Sequence, residues 1–236
     1  VVIPTYQEAE NIETVLRRVR AAAPEVAVLV VDDGSPDGTA DLAEAVGGEV
    51  GRVSVLRRAA KSGLGSAYRA GFDLGLEAGH DVIVEMDADL SHDPADVPRL
   101  LAAVAEGAAL AVGSRYVPGG ATPHWPVHRR FLSRGGNRYA GIVLGLGVRD
   151  ATAGFRAYQA AVLRRIDFAT TRADGYAFQV EMAYRVAQAG GPIVELPIVF
   201  SDRVRGTSKM SGRIVVEAMA LVTWWAVRDR LLRRSR

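Results

Sequence analysis

The sequence predicts an α/β protein built on a mainly parallel central sheet. Through residue 112, short β-branched runs alternate with stretches of helical period, and acidic or turn-forming residues gather where the apolar runs stop. A βαβ succession of this kind closes into a parallel, right-handed arrangement. Composition agrees, because 49% hydrophobic and 24% charged residues in a chain of 236 suffice for one large domain with its own core.

Val1–Ile3 is a short strand ending at Pro4-Thr5-Tyr6. From Glu8 to Ala23 the apolar positions Ile12, Val15, Leu16 and Val19 share one helical face, and Pro24 closes that helix. Val26–Val31 is a nearly continuous apolar strand, as expected when both faces are covered, and it runs into the turn cluster from Asp32 to Thr39. Thr39 is placed to cap a helix over Ala40–Val46. Strands follow at Val53–Leu56, Asp81–Met86 and Leu110–Val112, with helices over Gly65–Ala78 and Asp96–Glu106. The rhythm then fades. Residues 117–130 carry Pro118, Gly119, Gly120, Pro123 and Pro126 among histidines and arginines, which predicts an exposed loop. Helices are expected at Phe131–Leu146, Gln159–Ile166 and Phe178–Ala189, with a short segment around Ala151–Tyr158. A last strand is expected at Ile193–Val199, and the basic, glycine-bearing stretch Ser201–Gly212 reads as a mobile loop. One domain over residues 1–211 with an appendage at 212–236 is the simplest organisation.

Several function classes fall away. Without cysteine there is neither a disulfide framework nor a cysteine zinc site. A net charge of +2 is too balanced to argue for nucleic acid, although arginines crowd the last nine residues. No signal peptide or run of 18 apolar residues is read in the sequence, and Val1 opening directly in a strand suggests a trimmed start. A dinucleotide-binding dehydrogenase needs a glycine fingerprint after the first strand, where this chain has Pro4-Thr-Tyr-Gln-Glu-Ala-Glu10.

The chemistry centres on Asp87-Ala88-Asp89. Two carboxylates one residue apart, at the end of a buried strand, can turn toward one point in the crevice where parallel sheets bind ligands. Magnesium is commonly held by one or two carboxylates with substrate phosphates and water, so the pair suggests a metal-bridged diphosphate site. Pro4 and Tyr6 offer an apolar and aromatic wall, while Glu8 and Asp33 can accept hydrogen bonds from a ribose or base. Lys61, in Lys61-Ser-Gly-Leu-Gly65, can approach the same ligand.

Taken in order, Pro4-Thr-Tyr6 with Glu8, Asp32–Thr39, Lys61–Gly65 and Met86–His92 resemble the family 2 inverting glycosyltransferases. Gly113-Ser-Arg-Tyr116, Asp150–Arg156, Gly175–Gln179 and Arg203–Lys209 are similar to the dolichol- or polyprenol-phosphate mannose synthases within it. The likeness runs from Val1 to about Lys209. It implies a GT-A fold, the Rossmann-like form of nucleotide-diphospho-sugar transferases, with GDP-mannose as donor and Mg2+ or Mn2+ as cofactor. It places Pro4, Tyr6, Glu8, Val31 and Asp33 around the nucleoside and Asp87 and Asp89 at the metal and diphosphate, with Ala88 giving a backbone contact. Ser91 stands where some relatives carry a longer glutamine, so water would intervene before the metal. Arg115 matches a residue facing phosphate or sugar. Arg129 and Ser133 match positions receiving the lipid phosphate, and Arg203 and Lys209 match cations closing over the donor.

A phosphate monoester acceptor is largely dianionic near neutral pH, which makes a general base dispensable. Asp150 and Glu181 remain open as bases but are better placed to orient neighbours. Ile214–Val227 is apolar apart from Glu217 and Thr223, and as a helix of about 21 Å it falls short of the bilayer core. With Trp224, Trp225 and the arginines after them it suits an interfacial anchor, the alternative being a helix packed on the domain. The expectation is a cytoplasmic protein touching the membrane's cytoplasmic face peripherally or through an anchoring partner. A UDP-glucose:polyprenyl-phosphate enzyme and a non-catalytic nucleotide-sugar-binding module remain as alternatives. A polysaccharide synthase is disfavoured because the Gln-x-x-Arg-Trp motif is missing.

Overall fold

The structure, a computed structural model, describes residues 1–171, 173, 175–201 and 219–228. The described strands form one sheet in the order β3-β2-β1-β4-β6-β5-β7. They are β1 (Val2–Thr5), β2 (Val28–Asp32), β3 (Val53–Arg57), β4 (Val82–Glu85), β5 (Leu110–Ser114), β6 (Arg156–Gln159) and β7 (Ile193–Pro197). All pair in parallel except β6, which runs antiparallel to both β4 and β5. The strand order reverses between β1 and β4, which leaves a crevice beyond their carboxyl ends.

Helices cover both faces, so alternate strand residues enter different cores. Ile3, Val30 and Val84 meet α1 (Ala9–Ala22), α2 (Thr39–Val50) and α4 (Val97–Ala105), through residues such as Leu16, Val46 and Leu100. Val2, Val31 and Ile83 face the opposite way, against α3 (Leu64–Glu77), α6 (Ala160–Ile166) and α7 (Gly175–Gln188), through Tyr68, Phe72, Leu163 and Phe178. The run of β-branched residues in β2 is thus explained by burial on both faces.

The α3–β1 contact depends on a missing side chain. A Cβ on Gly71 would lie 2.3 Å from Val2 Cγ1, and one on Gly75 would lie 2.9 Å from Ile83 Cδ1. Gly71→Val is therefore expected to push α3 off the sheet and lower stability by about 2–3 kcal/mol, read as a lower denaturant midpoint at unchanged m-value.

Three sequence expectations need correction. Thr39 does not cap α2, because Gly38 occupies the cap position at φ 82° and Thr39 lies in the first turn. Its hydroxyl donates to Asp37 Oδ1 at 2.6 Å and accepts from the Glu8 amide at 3.0 Å, tying the two loops beside the crevice together. The exposed loop at 117–130 is shorter than expected: α5 (Val127–Leu144) starts directly after Pro126, and Trp125 is buried. Helix α7 starts at Gly175, three residues before the predicted Phe178.

Residues 219–228 are helical. Val222, Trp225 and Ala226 pack against Ala140 and Leu144 of α5 and Ala177 and Tyr184 of α7. Trp224 and Val227 remain exposed. The rest of the expected helix over 214–227, and the loop over Ser201–Gly212 beyond Ser201, lie outside the described residues.

Candidate active site

A pocket of about 350 Å³ opens at the carboxyl edge of the sheet. Pro4, Tyr6 and Glu8 reach it from the end of β1, Asp33 from β2, and Asp87, Ala88 and Asp89 from β4; Arg115 follows β5. Because β6 runs backwards, the loop before it, carrying Thr152 and Gly154, arrives at the same edge. The first turn of α7 adds Gly175, Tyr176 and Gln179, and Phe200 follows β7.

At the β1 end of the pocket, Lys61 Nζ stands 4.1 Å from the Tyr6 ring centroid, a cation–π contact. The tandem acids after β2 divide their work. Asp32 pins the turn, accepting from Thr5 Oγ1 at 2.9 Å and Ser35 Oγ at 2.6 Å. Asp33 borders the pocket, braced by Arg58 Nη1 at 2.7 Å and the Ser62 amide at 3.2 Å. Arg58 also donates to Ser66 Oγ at 2.6 Å. Sequence reading missed Arg58, which looks like one more surface arginine beside Arg57; its only signal is its position one residue past a strand end. Arg58→Met should leave Asp33 misoriented, raising donor KM about tenfold with kcat within about threefold, as steady-state kinetics would read. Val31, by contrast, is fully buried in the core and does not border the pocket.

The acidic pair is held from below. The Asp87 amide donates to His92 Nδ1 at 3.3 Å, and Asp87 Oδ1 accepts from Tyr68 Oη at 3.2 Å. Asp89 Oδ1 accepts from the Ser91 amide at 3.0 Å, a turn made possible by Leu90 at φ 62°. A non-glycine residue there costs about 1–2 kcal/mol, and such strain concentrates at functional sites. The Ser91 hydroxyl is buried, lacks a partner among the described residues and does not border the pocket. Behind Asp87, burial pushes the Glu85 carboxyl up to about 8 against the opposing Arg156 guanidinium.

Among the described residues no three His, Cys, Asp or Glu side chains converge to cage a metal. A pair of hard carboxylates open to a pocket nonetheless fits a divalent cation such as Mg2+ or Mn2+, whose remaining positions substrate phosphate oxygens and water would fill.

The basic side differs from expectation. Arg115 borders the pocket, but its Nε and Nη2 are committed to Asp150 at 2.7 and 2.6 Å, and Nη2 also donates to Thr152 Oγ1 at 2.8 Å. Its guanidinium carbon lies 5.3 Å from the Trp125 ring centroid and 5.5 Å from that of Phe200. Burial alone would raise the Asp150 pKa; Arg115 outweighs that and holds it below the usual carboxylate value. Arg129 also borders the pocket, its guanidinium carbon over the Trp125 ring at 3.9 Å from the centroid. Ser133, one turn along α5, does not border the pocket and accepts from Tyr116 Oη at 2.6 Å. Glu181 holds Arg185 at 2.7 Å, away from the pocket wall. Arg203 and Lys209 lie outside the described residues.

His92, Trp125, Thr152, Tyr176, Gln179 and Phe200 also line the pocket and were not singled out as site residues. His92, Thr152, Tyr176 and Gln179 fall inside the sequence motifs already noted, so a motif-wide reading would have found them; Trp125 and Phe200 carry no such signal.

Residues 1–167 match the family described as glycosyl transferase family 2. The chain is 50% identical to a polyprenol monophosphomannose synthase of Mycolicibacterium smegmatis, over 98% of this chain and 88% of that one. It is 53% identical to an undecaprenyl-phosphate mannosyltransferase of Micrococcus luteus, over 97% of this chain and 94% of the other. In three dimensions it resembles glucosyl-3-phosphoglycerate synthase of Mycobacterium tuberculosis, solved with Mn2+ and UDP-glucose. There the TM-score is 0.67 at 20% identity, covering 93% of this chain and 75% of that one. The mostly parallel sheet, the pocket at its carboxyl edge and these matches together show that the chain is a glycosyltransferase with a GT-A-like fold and belongs to glycosyl transferase family 2.

Proposed function

We propose that the protein transfers mannose from GDP-mannose to a polyprenyl or dolichyl-type monophosphate, with inversion, giving polyprenyl-phosphate β-mannose and GDP. The observation that carries this is the meeting of two carboxylates, Asp87 and Asp89, with the Pro4 and Tyr6 wall and Arg129 in one pocket. The identities to a polyprenol monophosphomannose synthase and an undecaprenyl-phosphate mannosyltransferase support the sugar and the acceptor class.

An oxygen of the acceptor phosphate attacks the anomeric carbon from the face opposite the diphosphate. The carbon–oxygen bond to GDP breaks, and its electron pair leaves on the β-phosphate. The acceptor needs no deprotonation, so the protein's work is alignment and charge compensation. Asp87 and Asp89 would hold Mg2+ or Mn2+, with Ser91 contributing at most through water; the bound ion supplies positive charge to the leaving diphosphate. Tyr6, Glu8, Asp33 and Lys61 orient the nucleoside, and the Arg129 guanidinium compensates the acceptor phosphate near the Ser133 end of α5. Arg203 and Lys209 are proposed to cover the donor.

Peripheral contact with the cytoplasmic face of a membrane fits a lipid acceptor. Helix α5 exposes Val127, Phe131, Leu132 and Ile142, and Trp224 and Val227 add to the exposed apolar residues. No helix among the described residues is long and apolar enough to cross a membrane. An anchoring partner protein is part of the same proposal, and nucleic acid is not.

The test is incubation with magnesium, a short polyprenyl phosphate and radiolabelled GDP-mannose or UDP-glucose. Label from GDP-mannose in the lipid extract, as the β-anomer by NMR, is the expected result. Label from UDP-glucose alone would overturn the donor, and donor binding without any transfer would point to a binding module.

A further inference from the structure

Gln179 lines the pocket and has no part in the proposed reaction. Its side chain is 2% exposed, and both Oε1 and Nε2 are buried without a hydrogen-bond partner among the described residues. A buried primary amide offers two donors and an acceptor, and leaving all of them unmet is unfavourable. Glu85 is near enough for the amide to favour its charged form, yet the contact falls short of hydrogen-bond geometry and leaves the polar atoms of both side chains unmet among the described residues. The residue is nevertheless fixed: its backbone carbonyl accepts from Arg156 Nη1 at 2.7 Å.

Gln179 borders the pocket next to the acidic pair. Nε2 lies 3.9 Å from the point where a Cβ on Gly154 would sit, and the two Asp87 carboxylate oxygens lie 3.6 and 3.8 Å from the same point. Amide and carboxylate therefore flank one notch in the wall, kept open by a glycine. The atom next to a diphosphate held at Asp87 is the anomeric carbon, and the groups around it are hydroxyls. An amide donates to one hydroxyl and accepts from its neighbour, a pairing that suits a vicinal diol in either amide orientation.

We propose that Gln179 is a specificity-determining residue that reads a vicinal diol of the donor hexose. This rests on the transferase reading of the same pocket. Its test is calorimetric binding, in magnesium, of GDP, GDP-mannose and GDP-mannose analogues deoxygenated singly at each of the C2, C3, C4 and C6 positions. The same series is run with UDP and UDP-glucose. Wild-type protein should lose about tenfold in affinity for each of two neighbouring deoxy analogues. In Gln179→Met those penalties should vanish while GDP binding is unchanged; Gln179→Glu, which keeps the size and an acceptor, should retain one of them. Unchanged penalties in Gln179→Met would overturn the proposal. So would parallel loss of GDP and GDP-mannose affinity in both variants, which marks a structural partner of Glu85, or wild-type protein binding neither sugar nucleotide more tightly than its nucleotide. Hydroxyl dependence confined to the UDP series would sink the mannose reading and leave this one standing.

Discussion

Asp89→Ala is expected to reduce kcat for glycosyl transfer by at least about 10³-fold, with the melting temperature within a few degrees of wild type. The magnitude follows from what the carboxylate does in the proposed reaction. Negative charge grows on the leaving diphosphate, and losing a preorganised stabiliser of developing charge typically costs two to three orders of magnitude. Asp89 sits at a strand end rather than inside a core cluster, and the Ser91 amide that it accepts lies in its own loop. Its removal therefore takes away charge without opening a cavity in the sheet. Asp87→Ala should lose comparable activity and somewhat more stability, because Tyr68 Oη and the stack of Tyr68 on Phe178 lie against it. Treating wild-type protein with EDTA should reproduce the Asp89→Ala rate, and magnesium should restore the wild type alone. Activity within tenfold of wild type in Asp89→Ala would remove the metal-bridged diphosphate from the mechanism.

The acidic pair was legible in the sequence because its signal is local: an apolar run, then two carboxylates one residue apart. The βαβ rhythm was legible for the same reason, since β1 to β5 and α1 to α4 each carry their period within a few residues. Strand β6 was not. Its four residues Arg156-Ala-Tyr-Gln159 include an arginine at a fully buried position, and no local pattern announces that three backbone carbonyls, of Ala151, Ala153 and Gln179, will accept from its guanidinium. That strand decides the site, because only an antiparallel β6 brings Thr152 and Gly154 to the carboxyl edge. Trp125 shows the same limit. In a stretch dense in proline and glycine it reads as loop, yet it is buried between Arg115 and Arg129, with a guanidinium near its ring from each. Val31 and Ser133 mark the opposite case, in which a likeness of motif named residues that stand behind the wall rather than on it.

Arg115→Met should be the most destabilising single change at the site. Arg115 and Asp150 are 4% and 0% exposed and meet through three hydrogen bonds, two from the guanidinium and one from the Arg115 amide. Removing one partner of a buried pair strands the other charge, which typically costs about 3–5 kcal/mol. Asp150→Asn should cost less, since the amide still accepts one of those bonds. Arg115→Met combined with Asp150→Leu should be more stable than Arg115→Met alone, because the stranded charge is gone; denaturant unfolding of the set measures the coupling. The pair also predicts a pH dependence. Asp150 has a folded pKa below its unfolded value, so its contribution is fully present above the unfolded pKa of about 4 and is lost as pH falls through the folded value. The acid limb of the stability profile should therefore be shallower in Asp150→Asn. Activity must separate from stability in this series if the pair positions the site. The double variant, though refolded, should transfer poorly, because Thr152 and the cation stack over Trp125 both depend on Arg115 being held where Asp150 holds it.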